Sequence, residues 1–92
     1  MKSDKQELIK MFERAIEEDA KYIYVEVYIE GYSDSEVIVN PISNADMKLD
    51  YLCKTYNDDL IMPHAPIKII SFGYLYDMSQ LEYVKNNFEG IK

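Results

Sequence analysis

Hydrophobic and polar positions alternate strictly between residues 22 and 30. An alternation with a period of two predicts a β-strand with one buried face. Turn-forming residues follow at 31–35, and a second aliphatic run occupies 36–40. The pattern therefore predicts an antiparallel hairpin. The aliphatic side of its first strand holds Ile23, Val25, Val27 and Ile29, and the other side holds Tyr22, Tyr24, Glu26, Tyr28 and Glu30.

Burial predicts the register of this hairpin, because a slip by one residue would mix the two faces. A five-residue loop pairs Val27 with Val39, so the aliphatic residues of both strands share one face. The same register places Glu30 opposite Glu36, where like charges repel. That repulsion is tolerable at an exposed edge, and it indicates a face that is wet or that receives a cationic partner.

Apolar residues at three- and four-residue spacing predict two helices, over about 4–19 and 44–57. Ser3 with Gln6 forms a capping box at the start of the first helix. Pro41 ends the second strand ahead of the second helix. The two apolar stripes are Leu8, Met11, Phe12, Ala15 and Ile16, then Ala45, Leu49, Leu52, Cys53 and Tyr56.

The remaining elements are predicted from shorter signals. Ser43, with Asp46 three residues later, resembles a capping box for the second helix. A third strand is predicted over about 67–75. A third helix is predicted to begin at Asp77, with Gln80 at the box position. Its inward residues are Met78, Leu81, Val84 and Phe88, and Gly90 closes it.

Together these elements predict a single α+β domain over residues 1–92, in the order α-β-β-α-β-α. Strand 1 is the longest and most aliphatic, so we expect it at the centre of a three-stranded antiparallel sheet of order 2-1-3. The helices are expected to cover the aliphatic face of the sheet. The face of tyrosines and glutamates is expected to stay partly open.

Negative charge is concentrated in one segment. Residues 17–36 hold seven carboxylates and one lysine, in a chain whose net charge is −7. Proteins that bind nucleic acid directly neutralise phosphates with clustered lysine and arginine, so this chain is not expected to do so. An anionic membrane is disfavoured for the same reason. No membrane span and no signal peptide is recognisable, and the expected location is the cytoplasm of a host cell.

Tyrosine is unusually frequent, with nine residues against three phenylalanines and no tryptophan. A tyrosine ring buries apolar area while its hydroxyl stays hydrated, which suits interfaces. Several of these tyrosines share one strand face with glutamates. We therefore expect a homodimer that uses the open sheet face or an edge strand; half-buried strand packing is the alternative.

Catalytic and metal-binding patterns are weak. Asp58 and Asp59 are adjacent, which indicates a solvated helix end more than a cation site, and Asn57 is expected to take a left-handed cap there. His64 is the sole histidine, and Cys53 lies on an apolar stripe as a small hydrophobe. Methionine is expected in the core at positions 11, 47, 62 and 78. No enzyme activity, metal or cofactor is predicted.

The predicted binding surface is the acidic, tyrosine-bearing hairpin. Carboxylates two positions apart on a strand are separated by about 6.6 Å, close to the phosphate repeat of a nucleic-acid strand. Such a face would fit a basic, nucleic-acid-handling channel by electrostatics. The predicted partner-binding residues are Tyr22, Tyr24, Glu26, Tyr28, Glu30, Tyr32, Asp34 and Glu36.

Four segments resemble small uncharacterised proteins of phages and prophages of Gram-positive bacteria. The segments are 37–41 (VIVNP), 47–51 (MKLDY), 54–60 (KTYNDDL) and 67–70 (IKII). The resemblance spans roughly residues 23–75, and the Tyr-Asn-Asp-Asp-Leu piece is its most specific part. It implies a viral context and a small accessory protein, and it carries no functional residue.

The resulting hypothesis is a non-enzymatic, acidic phage accessory protein that binds and inhibits a host or defence protein. A nucleic-acid-handling target such as a CRISPR effector, engaged by a surface that mimics nucleic acid, is its concrete form. Two alternatives stay open. One is an oligomer that captures a nucleotide signal, and the other is a self-associating structural phage protein.

Overall fold

The computed structural model describes residues 3–77, 79 and 88–89. The predicted third helix therefore lies mainly outside the described residues. In chain order the elements are α1 (Asp4–Glu17), β1 (Tyr22–Ile29), β2 (Glu36–Pro41), a 3₁₀ turn (Ile42–Asn44), α2 (Ala45–Thr55), β3 (Ile67–Leu75) and β4 (Phe88–Glu89).

The sheet confirms the predicted α+β class and strand order. β1 is central and pairs antiparallel with both β2 and β3. A short β4, which the sequence did not predict, extends the order to β3-β1-β2-β4. It pairs parallel with β2, with Phe88 beside Val37. The placement of Phe88 on a helix was therefore wrong, because its backbone is extended along the β2 edge.

Helix α1 begins at the predicted capping box. The Ser3 hydroxyl accepts the Gln6 N–H at 3.2 Å, and the Gln6 side chain accepts the Ser3 N–H at 3.1 Å. The helix ends two residues before the predicted end, because Asp19 takes the left-handed conformation with φ 57°. Bonds from Ala20 N to Ala15 O and from Asp19 N to Ile16 O close it as a Schellman motif.

Helix α2 begins differently from the prediction. The predicted Ser43 cap is wrong, because the 3₁₀ turn occupies that position and the Ala45 N–H donates to the Ile42 carbonyl. Asn44 is the N-cap residue, and its side chain makes no capping bond. Near the other end, Lys5 Nζ donates to the Cys53 carbonyl at 2.8 Å and links α1 to α2.

The main core lies between the helices and one face of the sheet, as predicted. Ile23, Val25 and Val27 of β1 are buried against α1 and α2. Phe12 and Leu8 are the largest fully buried side chains. The other buried members are Ala15, Ala20, Ala45, Leu52, Tyr56, Leu60 and Ile69.

The hairpin register differs from the prediction by three positions. Val39 lies opposite Tyr24, and Val27 lies opposite Glu36. An odd shift moves a strand's side chains to the other face, so Val37 and Val39 lie on the face away from the helices. There they form a second buried cluster with Leu75. The prediction was wrong because it assumed that only one sheet face is buried.

A β-bulge adds one residue to β3. Glu26 pairs with Ser71 while the next residue, Val27, pairs with Ile69, so Ile70 has no partner in β1. Bulges of this kind bend a strand and increase its twist. Ile70 is exposed at this edge of the sheet.

Candidate functional site

The hairpin loop extends beyond the last β1–β2 pair, Val27 with Glu36. One side of it stays attached to the sheet, because the Glu30 N–H donates to the Pro66 carbonyl at 2.8 Å. Gly31 has φ 96°, a conformation that L side chains rarely adopt. The Tyr32 N–H then donates back to the Ile29 carbonyl at 3.1 Å and closes the turn.

Four of the eight predicted partner-binding residues are exposed at this end of the hairpin, with Tyr28 near the end of β1 and Glu30, Tyr32 and Asp34 in the loop. We call Tyr28, Glu30, Tyr32 and Asp34 the hairpin tip. Tyr32 is the most open of its aromatic side chains, with 65% of its surface exposed. Within the described residues, no cation forms an ion pair with Glu30 or Asp34, and the observed ion pair joins Lys54 to Asp50 on α2 at 3.0 Å.

The other four predicted residues, Tyr22, Tyr24, Glu26 and Glu36, are half-buried. Tyr22 and Tyr24 pack against the cluster of Val37, Val39 and Leu75. The ring of Tyr24 also covers Gly73 on β3, where an added Cβ would lie 2.8 Å from ring atoms. These two tyrosines therefore hold the second face of the sheet together.

Glu26 has an internal partner. The Ser35 hydroxyl donates to its Oε2, which ties the loop back to β1. Glu30 lies beyond the end of β1 at Ile29, so the two carboxylates do not form a ladder on one strand face. Glu26 acts as a structural acceptor, whereas Glu30 is exposed to solvent. The role of both in partner binding stays a prediction.

The acidic segment is also divided in space. Residues 17–19 precede β1, and residues 30–36 follow it. The strand β1 lies between the two groups, and its eight residues span about 23 Å at the usual rise per residue. The two groups therefore stand at opposite ends of the central strand. The tip group is the one that also carries exposed tyrosines.

The remaining sequence candidates are not brought together into a site. Asp58 and Asp59 are exposed beside Asn57, whose Oδ1 accepts the N–H groups of Asp59 and Ile61 at 2.9 and 3.0 Å. Leu60, with φ 60°, takes the left-handed conformation that was predicted for Asn57. That prediction was wrong because the Asn57 side chain organises the turn instead.

Within the part of the chain that the structure describes, the Cys53 and His64 side chains form no hydrogen bond or ion pair. Cys53 is half-buried and His64 is exposed in the loop before β3. The described residues contain no group of three or more His, Cys, Asp or Glu side chains that could hold a metal ion. That the protein has no enzyme activity therefore stays a prediction from the sequence.

A tyrosine pair near the end of α1 was missed at the sequence level. The hydroxyls of Tyr74 and Tyr76 both donate to Glu18 Oε1, at 3.2 and 3.0 Å. Their rings meet edge to face with centroids 5.8 Å apart. Their spacing of two positions was visible in the sequence, with Tyr74 in the third strand and Tyr76 directly after its last residue, Leu75. Nothing in the sequence linked them to Glu18.

This pair predicts a loss of stability at high pH. Desolvation and then the hydrogen bond to Glu18 raise the pKa of Tyr76 to about 12. A hydroxyl whose folded pKa is raised stabilises the fold below its unfolded pKa of about 10, and that contribution is lost as pH rises through about 12. We expect the Tyr76→Phe variant to lose less stability than the wild type between these values, measured by urea denaturation. Equal losses of stability in the two proteins would contradict the coupling between folding and the protonation of the Tyr76 hydroxyl.

A second exposed surface lies on α2 and was also missed. Met47, expected in the core, is 73% exposed, and Tyr51 one turn later is 52% exposed. Between them, Lys48 Nζ lies 5.3 Å from the centroid of the Tyr51 ring. Burial lowers the pKa of Lys48. With Asn40 and Asn44 these residues line an open groove of about 320 Å³, which we call the helix patch.

Comparison with known proteins adds no relative. The chain matches no protein-family model, no curated protein and no solved structure. The resemblance to small phage proteins therefore stays a prediction. Neither helix in the described part of the chain has the length and apolar character of a membrane span.

Proposed function

We propose that this protein is a non-enzymatic binding protein whose hairpin tip engages the basic surface of a partner protein. The observation that carries this proposal is the composition of the tip. Two exposed carboxylates without a counter-ion among the described residues stand beside two exposed tyrosines. Exposed carboxylates attract a cationic partner during association. Tyrosine is enriched in the buried parts of protein interfaces.

The loop is also held in shape before it binds. The Glu30 N–H is bonded to the Pro66 carbonyl, and Ser35 is bonded to Glu26. A loop that is already ordered loses less conformational entropy on binding. The tip therefore supports a direct role in recognition better than the half-buried strand face does.

The finer form of the proposal is a phage accessory protein that inhibits a host or defence protein in the host cytoplasm. A protein that handles nucleic acid, such as a CRISPR effector, has basic channels that would accept an acidic loop. The sequence resemblance and the net charge of −7 support this form. Self-association is the second candidate, and the exposed apolar residues of the helix patch favour it.

The test compares two charge reversals of equal size. Glu30→Lys with Asp34→Lys reverses the tip, and Glu13→Lys with Glu17→Lys reverses two exposed acids on α1. Each tagged protein is used to capture partners from a lysate of a Gram-positive host, and the retained proteins are quantified. We expect the tip variant to lose the partner and to slow association roughly tenfold or more, while the α1 variant keeps both.

Salt provides a second measurement on the same partner. Raising ionic strength shortens the Debye length from about 10 Å at 0.1 M to about 3 Å at 1 M, so capture by the wild type should weaken. Circular dichroism checks that both variants are folded. Equal losses of partner binding in the two variants would show that the acidic loop only improves solubility. A larger loss in the α1 variant would place the binding site near residues 17–19.

A further inference from the structure

The helix patch contains polar groups whose bonding capacity is unused within the described residues. The Asn44 side chain makes no capping bond although it stands at the N-cap position. Lys48 is half-buried, its ammonium lies over the Tyr51 ring, and it forms no ion pair with a described carboxylate. An ammonium group that loses water without gaining a counter-ion is unfavourable, and its lowered pKa reflects that cost. The patch is therefore suited to receive a carboxylate.

The apolar part of the patch sets a second requirement on the occupant. Met47 and Tyr51 are neighbours one helical turn apart and expose most of their surface. A fitting segment must combine an acidic side chain with an aromatic or aliphatic one. The hairpin tip of this same chain has that chemistry, with Glu30 and Asp34 flanking Tyr32.

We infer that two copies of the protein associate by docking the hairpin tip of each onto the helix patch of the other. A carboxylate of the tip, Glu30 or Asp34, neutralises Lys48. The ring of Tyr32 packs on Met47 and Tyr51. This places the dimer contact on a loop and a helix, unlike the sheet face or edge strand that the sequence suggested.

The arrangement of the two surfaces permits a closed dimer. β2 begins at Glu36 beside the loop and ends at Pro41, next to the turn that leads into α2. The strand therefore connects the two surfaces, and its six residues span about 17 Å at the usual rise. If a twofold axis relates two copies, the tip of each copy contacts the patch of the other. Such an isologous dimer is closed, because no tip or patch is left over to add further copies.

Self-association of this kind would compete with the proposed partner, since both use the hairpin tip. The dimer would then be the resting form, and a basic partner would release it. Each contact would join one loop to one helix face, so we expect a weak and reversible dimer. The helix patch distinguishes the two events, because the proposed partner contact does not use it.

The test is sedimentation velocity of the full chain from micromolar to millimolar concentration. We expect Lys48→Glu, and separately Glu30→Lys with Asp34→Lys, to raise the dimer dissociation constant roughly tenfold or more. Lys10→Glu, an exposed cation on α1, changes the net charge as much as Lys48→Glu and should leave dimerisation unchanged. Mixing the Lys48→Glu chain with the tip variant should restore association, because both contacts again pair opposite charges.

Several results would overturn the inference. These are a wild type that stays monomeric at millimolar concentration, a Lys48→Glu chain that dimerises normally, or a mixture that fails to associate. An equal loss from Lys10→Glu would do the same, because it would assign the effect to net charge. A Lys48→Glu chain that loses dimerisation but still captures the partner separates this inference from the proposed function.

Discussion

Replacing Phe12 with alanine should lower the free energy of unfolding by about 3–5 kcal/mol. Phe12 is fully buried in the core between α1 and the sheet. Removing its ring leaves a cavity that the surrounding side chains of β1 and α2 fill only in part. Since small domains are stable by about 5–15 kcal/mol in total, this single change should bring the protein close to unfolding.

The matched control lies one turn later on the same helix. Ile16 is 46% exposed although it belongs to the same sequence stripe, so Ile16→Ala should cost less than about 1 kcal/mol. Urea denaturation followed by circular dichroism measures both values. Equal costs, or a Phe12→Ala chain as stable as the wild type, would contradict the assignment of α1 to the main core.

The sequence predicted the elements that depend on local signals. The capping box of Ser3 and Gln6 begins α1 as expected. The third strand has its predicted bounds at Ile67 and Leu75. The alternation in residues 22–30 also identified the central strand. Each of these features depends on neighbours close in the chain, so periodicity and capping rules suffice to find them.

Features that depend on distant contacts were not predictable in the same way. The register failed because β2 has aliphatic residues on both faces, with Ile38 toward the helices and Val37 and Val39 on the other side. Either register buries apolar side chains, so burial alone does not choose between them. The end of α1 depended on Asp19 adopting a conformation that is more usual for glycine.

The sequence predicted which types of residue form the candidate site, but it predicted their positions in the fold only in part. The sequence selected eight acidic and aromatic residues, and four of them are exposed at the hairpin tip. It could not show that Glu26 has a partner in Ser35 or that Tyr24 packs over Gly73. Both facts follow from the observed pairing of strands. The helix patch was missed because Met47 was assigned to the core by residue type and Tyr51 was given no role.

Tyr24 and Gly73 form a pair whose coupling tests the second sheet face. The two residues lie directly opposite each other on β1 and β3. The Tyr24 ring occupies the space above the glycine, and a Cβ there would lie 2.8 Å from the nearest ring atoms. A side chain at position 73 must displace the ring from its packing against Val37, Val39 and Leu75.

Gly73→Val should therefore lower the free energy of unfolding by about 1–3 kcal/mol in the wild type, the usual cost of overpacking. In a Tyr24→Ala background the same change should be neutral or stabilising, because valine suits a strand and restricts the unfolded chain more than glycine does. The coupling energy from the double-mutant cycle should then exceed about 0.5 kcal/mol, measured by urea denaturation of all four chains. Additive effects would show that the ring does not cover Gly73, and Tyr24 would return to the residues free to contact a partner.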